Sequence, residues 1–182
     1  MMKALKEWAT VITALENGDQ TVLLRKGGIL ETVSGFQVED RKFALFPTYE
    51  HQDNSSLKSQ FYRYLADVRE QKPRDGFNRI TSYAEVLAEH DLSSIQTIEK
   101  LSDFHIWSES YMVERMNWMP QKPMTAIFLK VYKIPPVEIP VLPEYHGCKS
   151  WIELNANMGP GSAVLNEADL EQKLSEFRGI VN

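Results

Sequence analysis

The chain holds a single cysteine, Cys148, among its 182 residues. No intrachain disulfide can form, and a zinc site built from several cysteines is excluded. The four histidines, His51, His90, His105 and His146, are scattered, and no two stand at a ligand spacing. Neither a metal nor another cofactor is therefore expected. No run approaches the roughly 20 apolar residues needed to cross a bilayer. The first stretch contains Lys3, Lys6 and Glu7 and lacks the apolar core and cleavage site of a signal peptide. These absences lead to the expectation of a soluble, cytoplasmic protein without a membrane partner. Internal repeats and low-complexity tracts are missing too.

What is present is ordinary for a globular chain: 43% hydrophobic and 25% charged residues. The length suits one domain. The formal charge of −5, from 20 basic and 25 acidic side chains, argues against a broad surface that coats nucleic acid. The acid is concentrated at the end. Residues 151–182 contain Lys173 and Arg178 against Glu153, Glu167, Asp169, Glu171 and Glu176, a balance of −3. The remaining 150 residues carry only −2, so a local basic patch is compatible with the total.

Hydrophobic spacing predicts a helix over residues 3–16, with Leu5, Trp8, Val11 or Ile12 and Leu15 on one face. Asn17-Gly18 ends it. Thr21–Leu24 reads as a strand, followed by a turn at Arg25-Lys26-Gly27-Gly28 and a second strand at Ile29–Val33. Phe36–Val38 and Lys42–Phe46 resume strand character until Pro47, which cannot donate to a ladder. Asp53–Gln60 opens a helix capped by Ser55 or Ser56, with Phe61, Leu65 and Val68 on its apolar face. Residues 78–90 fit a strand opening at Arg79, and helical character after Tyr83 stays open. Short helices start at Ser93 or Ser94 and at Ser108. Met124–Ile134 is the longest strand signal, with Pro135, Pro136, Pro140 and Pro143 forming an extended exit. Trp151–Leu154 closes as a short strand, and Asn166 caps a helix to Phe177. The expected organisation is one α+β domain over residues 1–156. A linker and a packed helix fill 157–182, with the linker marked by the two glycines and the proline of 157–162.

Five segments carry candidate chemistry. Arg25-Lys26-Gly27-Gly28 puts two cations beside a flexible turn, where backbone amides can face an anion. No Gly-Lys-Ser/Thr follows, so it is not a P-loop. Pro47 to Gln52 crowds polar groups after a strand end, His51 among them as a base or a hydrogen-bonding group. Around His105-Ile106-Trp107 and Arg115 to Trp118, aromatic rings alternate with polar groups, the pattern by which bases are stacked and held. The run from Tyr145 to Trp151 places His146 two residues from Cys148. A buried structural cysteine is the plainer reading there, because no third group orients a thiol nucleophile.

Several of these pieces together resemble the DUF1802 family, whose function is unknown: Leu23 to Ile29, Phe43 to Gln52, His105-Ile106-Trp107, Trp118 to Pro123 and Gly147 to Trp151. Some relatives accompany restriction-endonuclease-like domains, which implies a DNA-modification or defence setting. More distantly, a helix followed by Asn17 to Arg25 resembles the opening of ASCH domains in the PUA-like superfamily. Gln20 stands where those domains carry a lysine, and Leu24 where they carry a glutamate. That resemblance implies a small, mostly antiparallel curved sheet or β-barrel with surrounding helices. It also implies binding of RNA or modified bases, with Arg25 and Lys26 at the cleft mouth.

The leading reading is therefore a non-catalytic module for DNA, RNA or a modified base. Arg25, Lys26 and Lys149 contact phosphate, Trp107 or Trp118 stacks a base, and His51 and Gln52 read its edge. A pocket of roughly 300–1,000 Å³ would supply selectivity. Two other readings stay open. One is a metal-dependent nuclease or hydrolase built on Glu31, Glu39, Asp40 and Lys42. The other is a protein-interaction module with an exposed apolar face.

Overall fold

Ala4 and Leu5 are adjacent in sequence and both fully buried, in two different hydrophobic clusters. Successive side chains of a strand point to opposite faces, so this pair requires a strand covered on both sides. That strand is β1 (Met2–Trp8), in the computed structural model, which describes residues 1–27 and 34–182. The expected helix over 3–16 is thus confined to α1 (Ala9–Glu16). Its first half is claimed by pairing with distant strands on both edges, which satisfies the backbone that a helix would otherwise satisfy locally.

The remaining strands are β2 (Val22–Arg25), β3 (Lys42–Thr48), β4 (Phe77–Leu92), β5 (Met124–Pro140), β6 (Trp151–Leu154) and β7 (Ser162–Ala163). Their order is β2-β5-β4-β3-β1-β6, with β7 added to β5. Among the described residues only β1 and β3 run parallel; the other pairings are antiparallel. The α+β class and the mostly antiparallel, curved sheet agree with the sequence. β4 is one continuous 16-residue strand, without helix after Tyr83. Two register shifts against β5, at Ile80/Ser82 and Val86/Ala88, bend the pair as bulges do.

Alternation along β3 shows how the curled sheet divides its cores. Phe43 and Leu45 enter the larger cluster with Leu5 and Phe128, whereas Ala44 and Phe46 enter the smaller one with Ala4, Tyr145 and Ile152. Pro47 does not stop β3, which runs to Thr48. The Pro47 carbonyl faces Asn78 and accepts from its Nδ2 at 2.8 Å. The ring nitrogen therefore faces a side where the ladder with β4 has already ended at Ala44–Tyr83, and no ladder bond is lost. The proline-rich exit from β5 is extended as expected, but it also pairs, Val137 to Pro140 against Ile80 to Phe77.

Helices cover the sheet. α2 (Tyr62–Glu70) follows two 3₁₀ turns, Asn54–Ser56 and Ser59–Phe61, rather than one helix capped by Ser55 or Ser56. α3 (Ile95–Lys100) and α4 (Glu109–Asn117) begin after Ser94 and Ser108, and the Ser108 hydroxyl accepts from the Tyr111 N–H. α5 (Glu167–Val181) is capped by Asn166, whose side chain accepts from the Asp169 N–H at 2.9 Å. Phe177 of α5 is fully buried against Phe128 and Phe104, ring centroids 5.5 and 6.4 Å away. Phe36–Val38 is irregular rather than a strand, with Phe36 stacked on Trp151 at 5.9 Å. The strand expected at Ile29–Val33, Gly28 of the turn and Glu31 lie outside the described residues. Among the described residues, no helix is long and apolar enough to cross a membrane.

Candidate functional site

Both strands of the parallel pair end at one place, and a cleft of about 700 Å³ opens there. Lys6 and Trp8 reach it from β1, Thr48 from β3, and Phe77 and Asn78 from the start of β4. Loops at 49–51, 72–76 and 145–148 complete the walls. The sequence brings these pieces together because β1 pairs with β3 up to Trp8 and Thr48, and Asn78 at the start of β4 donates to the Pro47 carbonyl.

Rings and cations share the walls. The Trp8 indole meets the Trp107 ring edge-on at 5.0 Å, so a buried tryptophan buttresses one that lines the cleft. Lys72 Nζ sits 6.0 Å from the centre of the Tyr49 ring, and the Arg74 guanidinium 3.9 Å from that of Phe77. Arg74 also pairs with Glu138 at 2.8 Å. Glu50 and Asp75 lie on the same walls, so the cleft is mixed in charge rather than uniformly basic. Burial raises the Tyr49 phenol above its ordinary value and keeps it protonated.

Lys6 occupies the floor. Its Nζ donates to the carbonyls of Tyr145 (2.9 Å) and Gly147 (2.8 Å), tying the 145–148 loop to β1. Burial lowers its pKa, and the nearby Lys149 charge lowers it further. Opposite, the loop after β3 is locked by Gln52. Gln52 Oε1 accepts from Thr10 N–H (3.0 Å) and Thr10 Oγ1–H (2.7 Å), while its Nε2 donates to the Thr48 carbonyl (2.9 Å). His51, one residue earlier, is exposed in the cleft with φ 61°, in the left-handed region.

The residues singled out from sequence are placed as follows. His51 lines the cleft. Lys149 is exposed and adjoins Cys148, which lines it. Gln52 is buried behind the loop, with both ends of its amide engaged. Arg25 lies behind the floor, donating to the Lys6 carbonyl, Glu7 Oε2 and Ser150 Oγ. Lys26 is buried and donates to the Met116 carbonyl; burial and then the Arg115 charge lower its pKa. Trp107 is buried against Trp8 and Tyr111. Trp118 is half-buried outside this cleft, beneath the Arg115 guanidinium at 4.7 Å. The segments at 47–51 and 145–148 thus face one concavity, with Arg25 bracing it from behind.

Cys148 is exposed, against the expectation of a buried structural thiol: its loop is anchored at Tyr145, whose ring packs on Phe46, and by Lys6 at the Tyr145 and Gly147 carbonyls, while residues 146–149 stay at the surface. The described residues of the nuclease reading are engaged with partners other than one another's carboxylates. Glu39 pairs with Lys3 at 2.9 Å, Asp40 accepts from the Lys42 N–H, and Lys42 pairs with Glu85 at 3.2 Å. Among the described residues no three histidine, cysteine, aspartate or glutamate side chains converge as metal ligands. Sequence reasoning missed Lys6, Trp8, Lys72 and Arg74, and took in Tyr49 only as part of the segment from Pro47 to Gln52. The available signal was the alternation Lys6–Trp8, legible only once residues 2–8 are read as a strand.

Three crystal structures are similar to this chain, all of ASCH from Zymomonas mobilis. One matches with 15% identity over 95% of this chain and 92% of that one, at a TM-score of 0.45. Single-substitution variants of the same protein match with 15% identity (95% and 95%, TM-score 0.43) and 14% identity (74% and 72%, TM-score 0.44). No curated protein matches the chain. The family model described as "Domain of unknown function (DUF1802)" matches residues 4–176, nearly the whole length, and the chain belongs to that family.

Proposed function

We propose that the protein is a non-catalytic nucleic-acid-binding module that holds an unpaired, and in its proper setting modified, base in the cleft at the ends of β1 and β3. The observation that carries this reading is the interleaving of rings and cations there: Trp8 backed by Trp107, Lys72 above Tyr49, and Arg74 above Phe77. Base faces stack on aromatic rings regardless of sequence, and nearby cations hold the phosphates of a strand. A cleft of about 700 Å³ falls within the usual size of small-molecule sites, so it suits a nucleotide better than a duplex.

In this reading Trp8 and Tyr49 form the stacking platform. Lys72, Arg74 and Lys149 take phosphate, and His51 meets the base edge. Arg25, Lys26, Gln52 and Trp107 act from behind by fixing the strands and loops that carry those groups. Trp118 with Arg115 offers a second ring outside the cleft for a neighbouring base. The restriction or modification context implied by the family resemblance is part of the proposal, because it supplies modified bases as guests. The RNA and modified-base binding implied by the resemblance of Asn17 to Arg25 points the same way.

The test is equilibrium binding of short labelled single strands, RNA and DNA, with and without modified bases, at low ionic strength. Salt-dependent binding with quenching of tryptophan emission supports the reading. Absence of salt-dependent binding to every strand refutes it.

A further inference from the structure

Among the described residues only His51 and Met119 combine a side chain with a left-handed backbone, at φ 61° and 50°. Glycine would adopt this conformation without penalty, whereas a side chain is strained in it. Such strain persists where the surroundings over-determine it, and it clusters where a side chain must be presented to a ligand. Of the two, only His51 lines the large cleft.

Its surroundings do over-determine it. Behind it, Gln52 is fixed by Thr10 at its Oε1 and by the Thr48 carbonyl at its Nε2. The Gln52 backbone carbonyl also accepts from Arg69 at 3.1 Å. Ahead of it, the Thr48 hydroxyl donates to the Glu7 carbonyl at 3.1 Å, pinning the end of β3 to β1. Between two fixed points the chain has three residues in which to turn, and His51 takes the strained conformation. A neutral imidazole offers one donor and one acceptor, a pair that can meet the mixed donor and acceptor groups of a base edge.

We infer that Gln52 is a positioning residue that holds His51 in its left-handed conformation, so that the imidazole stands in the cleft as the group that selects the bound base. The inference rests on the proposed function and goes beyond it by assigning selectivity to one side chain and its orientation to another.

Four proteins test it: wild type, His51→Gly, Gln52→Ala and the double variant. Each is measured for thermal midpoint and for binding to labelled RNA homopolymers of each base. His51→Gly should raise the midpoint by about 2–4 °C as strain is relieved. It should also weaken binding to the preferred homopolymer roughly tenfold, the worth of one well-placed hydrogen bond, and narrow the differences among homopolymers. Gln52→Ala should weaken binding when His51 is present and have no further effect in the glycine background. A merely structural glutamine would lower both backgrounds equally, and that result overturns the inference. So does a His51→Gly protein with a lower midpoint or with unchanged selectivity. If Gln52→Ala does not fold, Gln52→Glu keeps the acceptor for Thr10 and removes the donor to Thr48, and the same comparison applies. A wild type that binds no strand defeats the function and the inference together. A wild type that binds while His51→Gly selects equally well defeats the inference alone.

Discussion

Arg25 on β2 donates to Glu7 on β1 at 3.0 Å, although β2 is one edge of the sheet and β1 stands next to the other edge. The same guanidinium reaches the Lys6 carbonyl at 3.3 Å and Ser150, just before β6, at 2.9 Å. Among the described residues no ladder joins these edges along the strand order, so one side chain spans the open seam of the curled sheet. Glu7 is only 5% exposed and also accepts from the Trp8 N–H at 2.8 Å, which leaves it poorly hydrated if its partner is removed.

Arg25→Ala is therefore expected to cost on the order of 3 kcal/mol, because it strands a buried carboxylate. Glu7→Gln, which keeps an acceptor for the Trp8 N–H, should cost less. Urea unfolding of both variants checks the order. An Arg25→Ala protein within about 1 kcal/mol of wild type would show that the seam is held by something else. Its salt dependence of strand binding should be unchanged, since Arg25 does not line the cleft.

His105 gives the stability a pH dependence. It is buried, and its pKa is lowered from 6.5 to about 3, first by burial and then by the Lys58 charge, with the Ile98 backbone pulling partly back. Its Nδ1 accepts from the Trp107 N–H at 3.2 Å, which places the proton of the neutral ring on Nε2. The folded imidazole stays neutral while the unfolded one protonates below about pH 6.5. This contribution is complete above pH 6.5 and is lost as pH falls from there toward 3. Between about pH 7.5 and about pH 5.5 the loss should be about 1.4 kcal/mol. His105→Asn, which retains an acceptor for Trp107, should remove that part of the slope. Urea midpoints at the two pH values compare the proteins, and an unaltered slope in the variant would assign the effect elsewhere.

The elements that were legible in the sequence owe their form to neighbours in the chain. Ser108 and Asn166 cap α4 and α5 through residues three places on, and Met124–Ile134 is long and apolar enough to be a strand in any context. β1 was not legible because Ala4 and Leu5 serve different cores, a fact created by β3 and β6 from far along the chain. The site failed for the same reason. His51 was visible as a polar group after a strand, but Lys6 and Trp8 join it only through the parallel pairing of β1 with β3. Gln52 looked like a reading group. Its amide is instead consumed by Thr10 and Thr48, partners that local sequence does not announce.

The C-terminal helix should unfold with the rest. Phe177 is fully buried between Phe104 and Phe128, and Lys173 Nζ lies 5.9 Å from the Phe104 ring. Phe177→Ala is expected to cost about 3–5 kcal/mol. The four tryptophans, at positions 8, 107, 118 and 151, all lie outside α5. Tryptophan emission therefore reports the body, while far-ultraviolet circular dichroism includes the helix. Coincident transitions by the two signals are expected for a single cooperative unit; an early loss of helicity would make residues 157–182 a separable appendage.

Lys72 and Arg74 should govern how binding responds to salt. Lys72 lies beside Tyr49, and Arg74 already has a carboxylate partner in Glu138, so the two cations are not equivalent. A lysine that neutralises one phosphate of a single strand contributes about 0.7 to the slope of log affinity against log salt. Lys72→Ala should reduce the slope by about that amount and lower the thermal midpoint by no more than about 2–4 °C, because exposed ring contacts of this kind contribute roughly 0.5–1 kcal/mol. Arg74→Ala should change the slope less, since its charge is shared with Glu138, and should lower stability slightly through the lost stacking on Phe77. The comparison separates phosphate contact from general attraction: a uniform field would make the two variants equal in slope, whereas a bound strand that passes Lys72 makes them differ.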